Sequence, residues 1–237
     1  MPDGWTRAEV GGKPADVFDP PAGARRFALL WLHPETEDPP AADPDFTALL
    51  HRHRLPCVAP RGRRAWWADR VCPEFDPVVT AEQYLLRDVA PWAEARWSLA
   101  PRAVGVAGAG MGGQGAVRLG LKYPDRFRVV ASIGGAFDYH ERYGRGTPLD
   151  ESYDTREQCR QDTAVLHVHP SHWPPHVRIA CDPADEWFRG NDRLYEKLTA
   201  LGVPHAADLD HRAVRADLEA TIAFVVSGLE RESRRLM

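Results

Sequence analysis

Residues 104–116 read Val-Gly-Val-Ala-Gly-Ala-Gly-Met-Gly-Gly-Gln-Gly-Ala, and no other stretch restricts the fold of this chain as tightly. Val104 to Val106 is an apolar, β-favouring start, whereas Gly115 through Leu121 has the spacing of a helix. Between them the side chains are small, apart from Met111 and Gln114. A strand that passes directly into a helix through such a turn must bring backbone against backbone, and glycine adopts the required positive φ without a Cβ clash. The implied unit is strand, strained tight turn, helix.

That layout is the one used to present a nucleophile at a strand-to-helix turn, with the template G-x-S-x-G. Here the frame falls on Gly108, Ala109, Gly110, Met111 and Gly112, so the serine position carries Gly110. Beyond it come Met111-Gly112-Gly113-Gln114-Gly115-Ala116, the helical Leu119 to Lys122, Tyr123-Pro124-Asp125-Arg126-Phe127 and an apolar Val129 to Ile133. This run closely resembles the esterase D and feruloyl esterase branch of the α/β-hydrolases, which also includes bacterial mycolyltransferases. Its turn reads G-x-S-M-G-G-x-G-A and is followed by a helix and a P-[DE]-x-F segment. The resemblance extends from about Leu29 to Phe224. It implies an α/β-hydrolase fold: a mostly parallel central sheet flanked by helices.

The 237 residues suffice for one sizeable core, so a single domain over 1–237 is expected, with a short cap segment at about 138–176. With 30 Lys+Arg against 34 Asp+Glu the formal net charge is −4, and no basic block interleaves with aromatics, which argues against a nucleic-acid partner. No apolar run approaches the roughly 20 residues of a membrane span. Residues Met1 to Trp5 lack a basic and apolar leader, and Cys57, Cys72, Cys159 and Cys181 are scattered without a C-x-x-C pair. A cytoplasmic protein with reduced thiols and no cofactor is the expectation. Self-association into a homo-oligomer is left open.

In chain order, Trp5 to Val10 and Ala15 to Phe18 flank Gly11-Gly12-Lys13-Pro14 as an N-terminal antiparallel hairpin. Phe27 to Leu32 is a continuous apolar run, as in a strand buried on both faces. A short helix over Leu49 to Arg54 and a strand over Leu55 to Pro60 follow. Thr80 and Gln83 form a capping box for a helix that Pro91 should kink. The strand Val177 to Cys181 precedes a helix over Asp192 to Ala200, and the last helix covers Val214 to Leu229.

Candidate site residues cluster at the predicted carboxyl ends of strands, where open α/β sheets bind ligands. His33-Pro34-Glu35 ends one strand. In the resembled family this loop donates one oxyanion N–H, the second coming from the residue after the nucleophile, here Met111. Proline has no N–H, so Glu35 is the expected donor. Trp66, Trp67 and Asp69 match the family segment that lines the pocket, although two adjacent tryptophans serve equally well as a core cap beneath the loop. His33 completes this ligand-binding set.

His167, His169, His172 and His176 form the densest histidine stretch. Pro174 and Pro175 forbid the helix that would place His172 and His176 on one face, so a metal site is not expected. The resemblance implies that Asp185 is the acid that orients the catalytic histidine, with Asp182 as second choice; an Asp before proline is also a common turn initiator. Gly202-Val203-Pro204-His205 matches the family's approach to the final strand. The G-G-H-[SD]-W loop that follows in the family is shortened here, leaving His211 as the nearby imidazole.

Serine hydrolysis on this fold needs an activated oxygen, a histidine and an acid. Three readings follow: a non-hydrolytic homologue keeping a pocket for a small ester-like ligand; an acid–base enzyme, such as a lyase or isomerase, using Asp185 and His211; and a protein-interaction scaffold.

Overall fold

A computed structural model describes residues 2–21, 23–210 and 214–235. Its spine is an eight-stranded sheet in the order β1-β2-β4-β3-β5-β6-β7-β8. The strands are β1 (Trp5–Val10), β2 (Lys13–Phe18), β3 (Ala28–Leu32), β4 (Cys57–Pro60), β5 (Val104–Ala109), β6 (Val129–Ile133), β7 (His176–Ala180) and β8 (Ala206–Asp208). β1 and β2 form the expected antiparallel hairpin, and β2 also runs antiparallel to β4. From β4 to β8 each neighbouring pair is parallel. Every residue of β3 and β4 is buried, as a strand covered by helices on both faces requires.

The helices are α1 (Pro44–His53), α2 (Ala81–Tyr84), α3 (Ala90–Arg96), α4 (Met111–Lys122), α5 (Leu149–Ser152), α6 (Arg156–Gln161), α7 (Phe188–Ala200) and α8 (Val214–Arg235). α1 begins five residues before the expected Leu49, because Asp43 caps it by accepting from Asp45 and Phe46 N–H and Pro44 takes the first position, where no N–H is needed. Likewise α7 starts at Phe188 rather than Asp192.

Thr80 caps α2 as expected, its hydroxyl accepting from Gln83 N–H at 3.1 Å. Pro91 takes the second position of α3, where the missing N–H costs least. A π-helical turn at Leu85–Val89 joins α2 to α3 and shifts the hydrogen-bond ladder ahead of the proline. Between β6 and β7 the chain makes an excursion containing α5, α6 and short 3-10 turns at Tyr139–Arg142 and Ala164–His167.

One polar network ties this excursion to the body. Arg118 of α4 is fully buried; it pairs with Glu82 of α2 and with Asp162, to which its Nε also donates through the main-chain carbonyl at 3.0 Å. Lys122 Nζ and Tyr123 Oη reach the other Glu82 oxygen at 2.6 and 2.7 Å. On the far side Tyr153 donates to Asp162 at 2.7 Å and its oxygen lies 3.0 Å from that of Tyr139. Among the described residues no helix is long and apolar enough to cross a membrane.

Candidate functional site

The β5–α4 turn is the sharpest feature of the carboxyl edge of the sheet. Gly110 sits at its tip with φ 53° and ψ −118°, a conformation that L side chains rarely adopt. Three main-chain bonds hold it: Gly110 N–H donates to Ile133 at 2.9 Å, and its carbonyl accepts from Gln114 at 3.1 Å and Ala136 at 2.9 Å. A Cβ at Gly110 would stand 3.5 Å from Cβ of Pro34, ordinary contact. Two residues on, Gly112 lies so close to the end of β3 that any Cβ would collide with the Leu32 carbonyl oxygen. Glycine there permits α4 to pack down on β3, and Met111, the first helical residue, is buried beside it.

Pro34 covers the turn from the β3 side. The following Glu35 is half-buried in a turn closed by Glu37 N–H to the Pro34 carbonyl at 3.0 Å. His33 is committed elsewhere. Its Nε2 accepts from Gly62 N–H at 2.9 Å while Nδ1 lies 2.7 Å from the Pro34 carbonyl, so the ring is neutral with the proton on Nδ1. Burial, the largest influence, lowers its pKa and favours that neutral form. His33 is a brace between the β3 and β4 loops, with neither nitrogen spare.

Trp66 and Trp67 hold left-handed backbone, φ 55° and 50°, and are 2% and 0% exposed. Neither presents a free indole face, so they underlie the site rather than line an open pocket. Trp67 fills the gap beside Gly62 and Gly115 and donates its Nε1–H to the His33 carbonyl at 3.3 Å. Trp66 stacks on Tyr139, centroids 5.2 Å apart, and meets the half-buried Trp187 edge-on at 6.2 Å. The aromatic mass contributed by this loop therefore fills the space between α4 and the excursion.

Asp69 is not brought to the turn. It accepts from Thr80 at 2.8 Å and lies 3.7 Å from Lys122 Nζ, eleven residues beyond Met111 and so roughly 16 Å along α4. It belongs with the Glu82–Arg118 network. Asp185, in contrast, does reach the carboxyl edge. One of its oxygens accepts Trp187 N–H at 2.8 Å, and the other lies 2.9 Å from where a Cβ on Gly134, just past β6, would stand. Asp182 is occupied in its own turn, accepting from Ala184 N–H at 2.8 Å. His211 lies outside the described residues.

Several contributors carried no clear signal in the sequence. Asn191 of α7 is fully buried and ties Gly135 and Trp187 together, donating to both carbonyls at 2.8 Å. Gln114 donates to the Trp66 carbonyl at 2.8 Å. Arg142 lies over the Trp187 ring at 5.2 Å and pairs with Glu186. The histidines of residues 167–176 disperse to separate partners, His172 to Asp125 at 3.3 Å and His176 to Glu232 at 3.1 Å. Among the described residues no group of three or more His, Cys, Asp or Glu is placed to hold a metal ion.

Sheet order, parallel core and the sharp β5–α4 turn define an α/β-hydrolase fold. Solved structures share it: an S-formylglutathione hydrolase from Agrobacterium tumefaciens aligns over 97% of both chains with a TM-score of 0.76 and 14% identity. A ferulic acid esterase aligns over 95% of this chain and 97% of its own, with a TM-score of 0.75 and 15% identity. The fluorophosphonate-binding serine hydrolase F of Staphylococcus aureus covers 94% and 97%, with a TM-score of 0.74 and 15% identity. No curated protein sequence matches the chain significantly. Residues 52–206 match the family described as "Putative esterase", and the chain belongs to that family.

Proposed function

We propose that this esterase-family protein does not hydrolyse esters through a serine nucleophile and instead binds a small ester-like ligand at the carboxyl edge of its sheet. The observation that carries the reading is Gly110: the residue at the tip of the strained turn offers no oxygen, while the turn keeps the backbone conformation that would present one. Removing the serine of a working triad costs on the order of a millionfold in turnover, about 8 to 9 kcal/mol of transition-state stabilisation.

Among the described residues neighbouring groups do not replace it. The Ser132 hydroxyl is fully buried in β6, packed against Gly113 and Gly135. His33, the described imidazole on the loop beside the turn, has both nitrogens engaged. Ligand contacts would come from the partly exposed rim, Glu35, Gly110, Asp185 and Trp187, with Met111 and Glu35 N–H as donors to a carbonyl oxygen. The test is a fluorophosphonate probe together with hydrolysis of short p-nitrophenyl esters, run beside the fluorophosphonate-binding relative as positive control. No labelling and no turnover above background are expected. Stoichiometric labelling at a mapped serine would overturn the proposal.

A further inference from the structure

A cleft lies at the end of the sheet opposite Gly110, where β3 and β5 begin. Ala28 N–H bonds to the Ala103 carbonyl at 2.9 Å there, and the last turns of α8 close the remaining side. The cleft encloses about 260 Å³, which at ~30 Å³ per water is room for a slim molecule displacing roughly nine waters.

Its chemistry is two-sided. The floor is apolar: Leu229 is 2% exposed, Ala103 is 8% exposed, and Ala100 continues the surface outward. On the rim stand Arg26 and Arg102, both exposed, and neither makes an ion pair or hydrogen bond with any described residue. The nearby acids are already taken. Glu230 pairs with Arg25, and the buried Glu232 serves Arg128, Arg235 and His176. In a chain of net charge −4 this end therefore carries two guanidinium groups without an acidic partner among the described residues, beside an apolar trough. The loop bearing Arg102 is also conformationally set, since Ser98 and Arg102 hold left-handed backbone with φ 50° and 73°.

We propose that this cleft is a binding site for a small amphipathic carboxylate, with an alkyl chain along Leu229, Ala100 and Ala103 and its head group between Arg26 and Arg102. Guanidinium is the side chain best shaped for a carboxylate, offering paired N–H donors in its own plane. An uncharged alcohol of the same length would gain the floor contacts without that pairing.

Calorimetric titration with octanoate tests the site, using octanol as the neutral comparator. Saturable binding of octanoate is expected, with octanol weaker by about tenfold or more and added salt weakening octanoate alone. The double variant Arg26→Gln/Arg102→Gln should lose about tenfold or more, and Ala100→Trp, which places an indole over the floor from an exposed position, should abolish binding. Thermal melts of both variants should match the parent, because the altered side chains are exposed. Absence of saturable binding, equal affinity for octanol, or undiminished binding in folded Ala100→Trp would each overturn the assignment. The cleft and Gly110 lie at opposite ends of β5, so either outcome leaves the fluorophosphonate result unaffected.

Discussion

Gly110 and Gly112 are two residues apart, yet a side chain would affect them in opposite ways. At Gly110 a Cβ has room, 3.5 Å from Pro34, and the cost lies in the positive φ alone, about 1 kcal/mol. Gly110→Ser should therefore fold, with a small drop in urea midpoint. It should also recover little ester hydrolysis, because a new hydroxyl needs an imidazole about 3 Å away and His33 is committed to Gly62 and Pro34. Turnover within about tenfold of an ordinary esterase, near 1 to 10 per second, would show that the nucleophile is the only missing part. At Gly112 the Leu32 carbonyl leaves no space, so Gly112→Ala should cost about 3 kcal/mol by urea unfolding. Both glycines are visible in the sequence, and its turn frame already puts the positive φ at Gly110; that Gly112 marks a close approach was decided by β3, distant in the chain.

At the scale of elements, α4 is held from two sides by one buried arginine. Arg118→Ala removes the buried guanidinium shared by Glu82 and Asp162, leaving Glu82 with Lys122 as its cation, and a loss of about 3–5 kcal/mol is expected in denaturant unfolding. Burial by itself would raise the Asp162 carboxyl, but contacts from His167, Arg118 and Tyr153 outweigh it and hold the group well below the usual carboxylate range. The sign follows directly. A carboxyl depressed in the fold contributes stability above its unfolded value, about pH 4, and that contribution fades as pH falls below it. Hydrogen exchange in residues 149–167 should accordingly stay low from neutral pH to about pH 5 and rise below about pH 4; exchange that already rises between about pH 7 and pH 5 would count against this anchor. The helical spacing of Gly115 through Leu121 was legible in the sequence, whereas the burial of Arg118 was not, because its partners come from α2 and from the segment after α6.

Across the whole molecule burial also governs the histidines and thiols. His33, His53, His140 and His176 all have pKa values lowered chiefly by desolvation. Such groups favour the fold while neutral, and their contribution fades as pH drops below the unfolded value near 6.5. The urea midpoint should fall between about pH 7.5 and pH 5.5; a rise would contradict the assignment. Cys57, Cys72, Cys159 and Cys181 are free and buried, and burial pushes the thiols of Cys159 and Cys181 up to about 12. Ellman's reagent should therefore react slowly with the native protein and count all 4 cysteines once guanidinium unfolds it.

The sequence by itself determined the hairpin, the buried strands of the core and the β5–α4 turn, because each rests on local rules: period-two or continuous apolar runs, and glycine where φ is positive. It also determined that Gly110 stands at the tip of that turn. Tertiary structure decided everything that depends on which distant residue arrives. It decided between lining and filling for Trp66 and Trp67, because Tyr139 and Trp187 pack on Trp66 and Gly115 of α4 makes room for Trp67. It drew Asp69 away from the turn to Thr80 and Lys122, and it brought Asp185 to Gly134. A side chain's partners are set by the packing of elements far apart in the chain, and no local pattern records them.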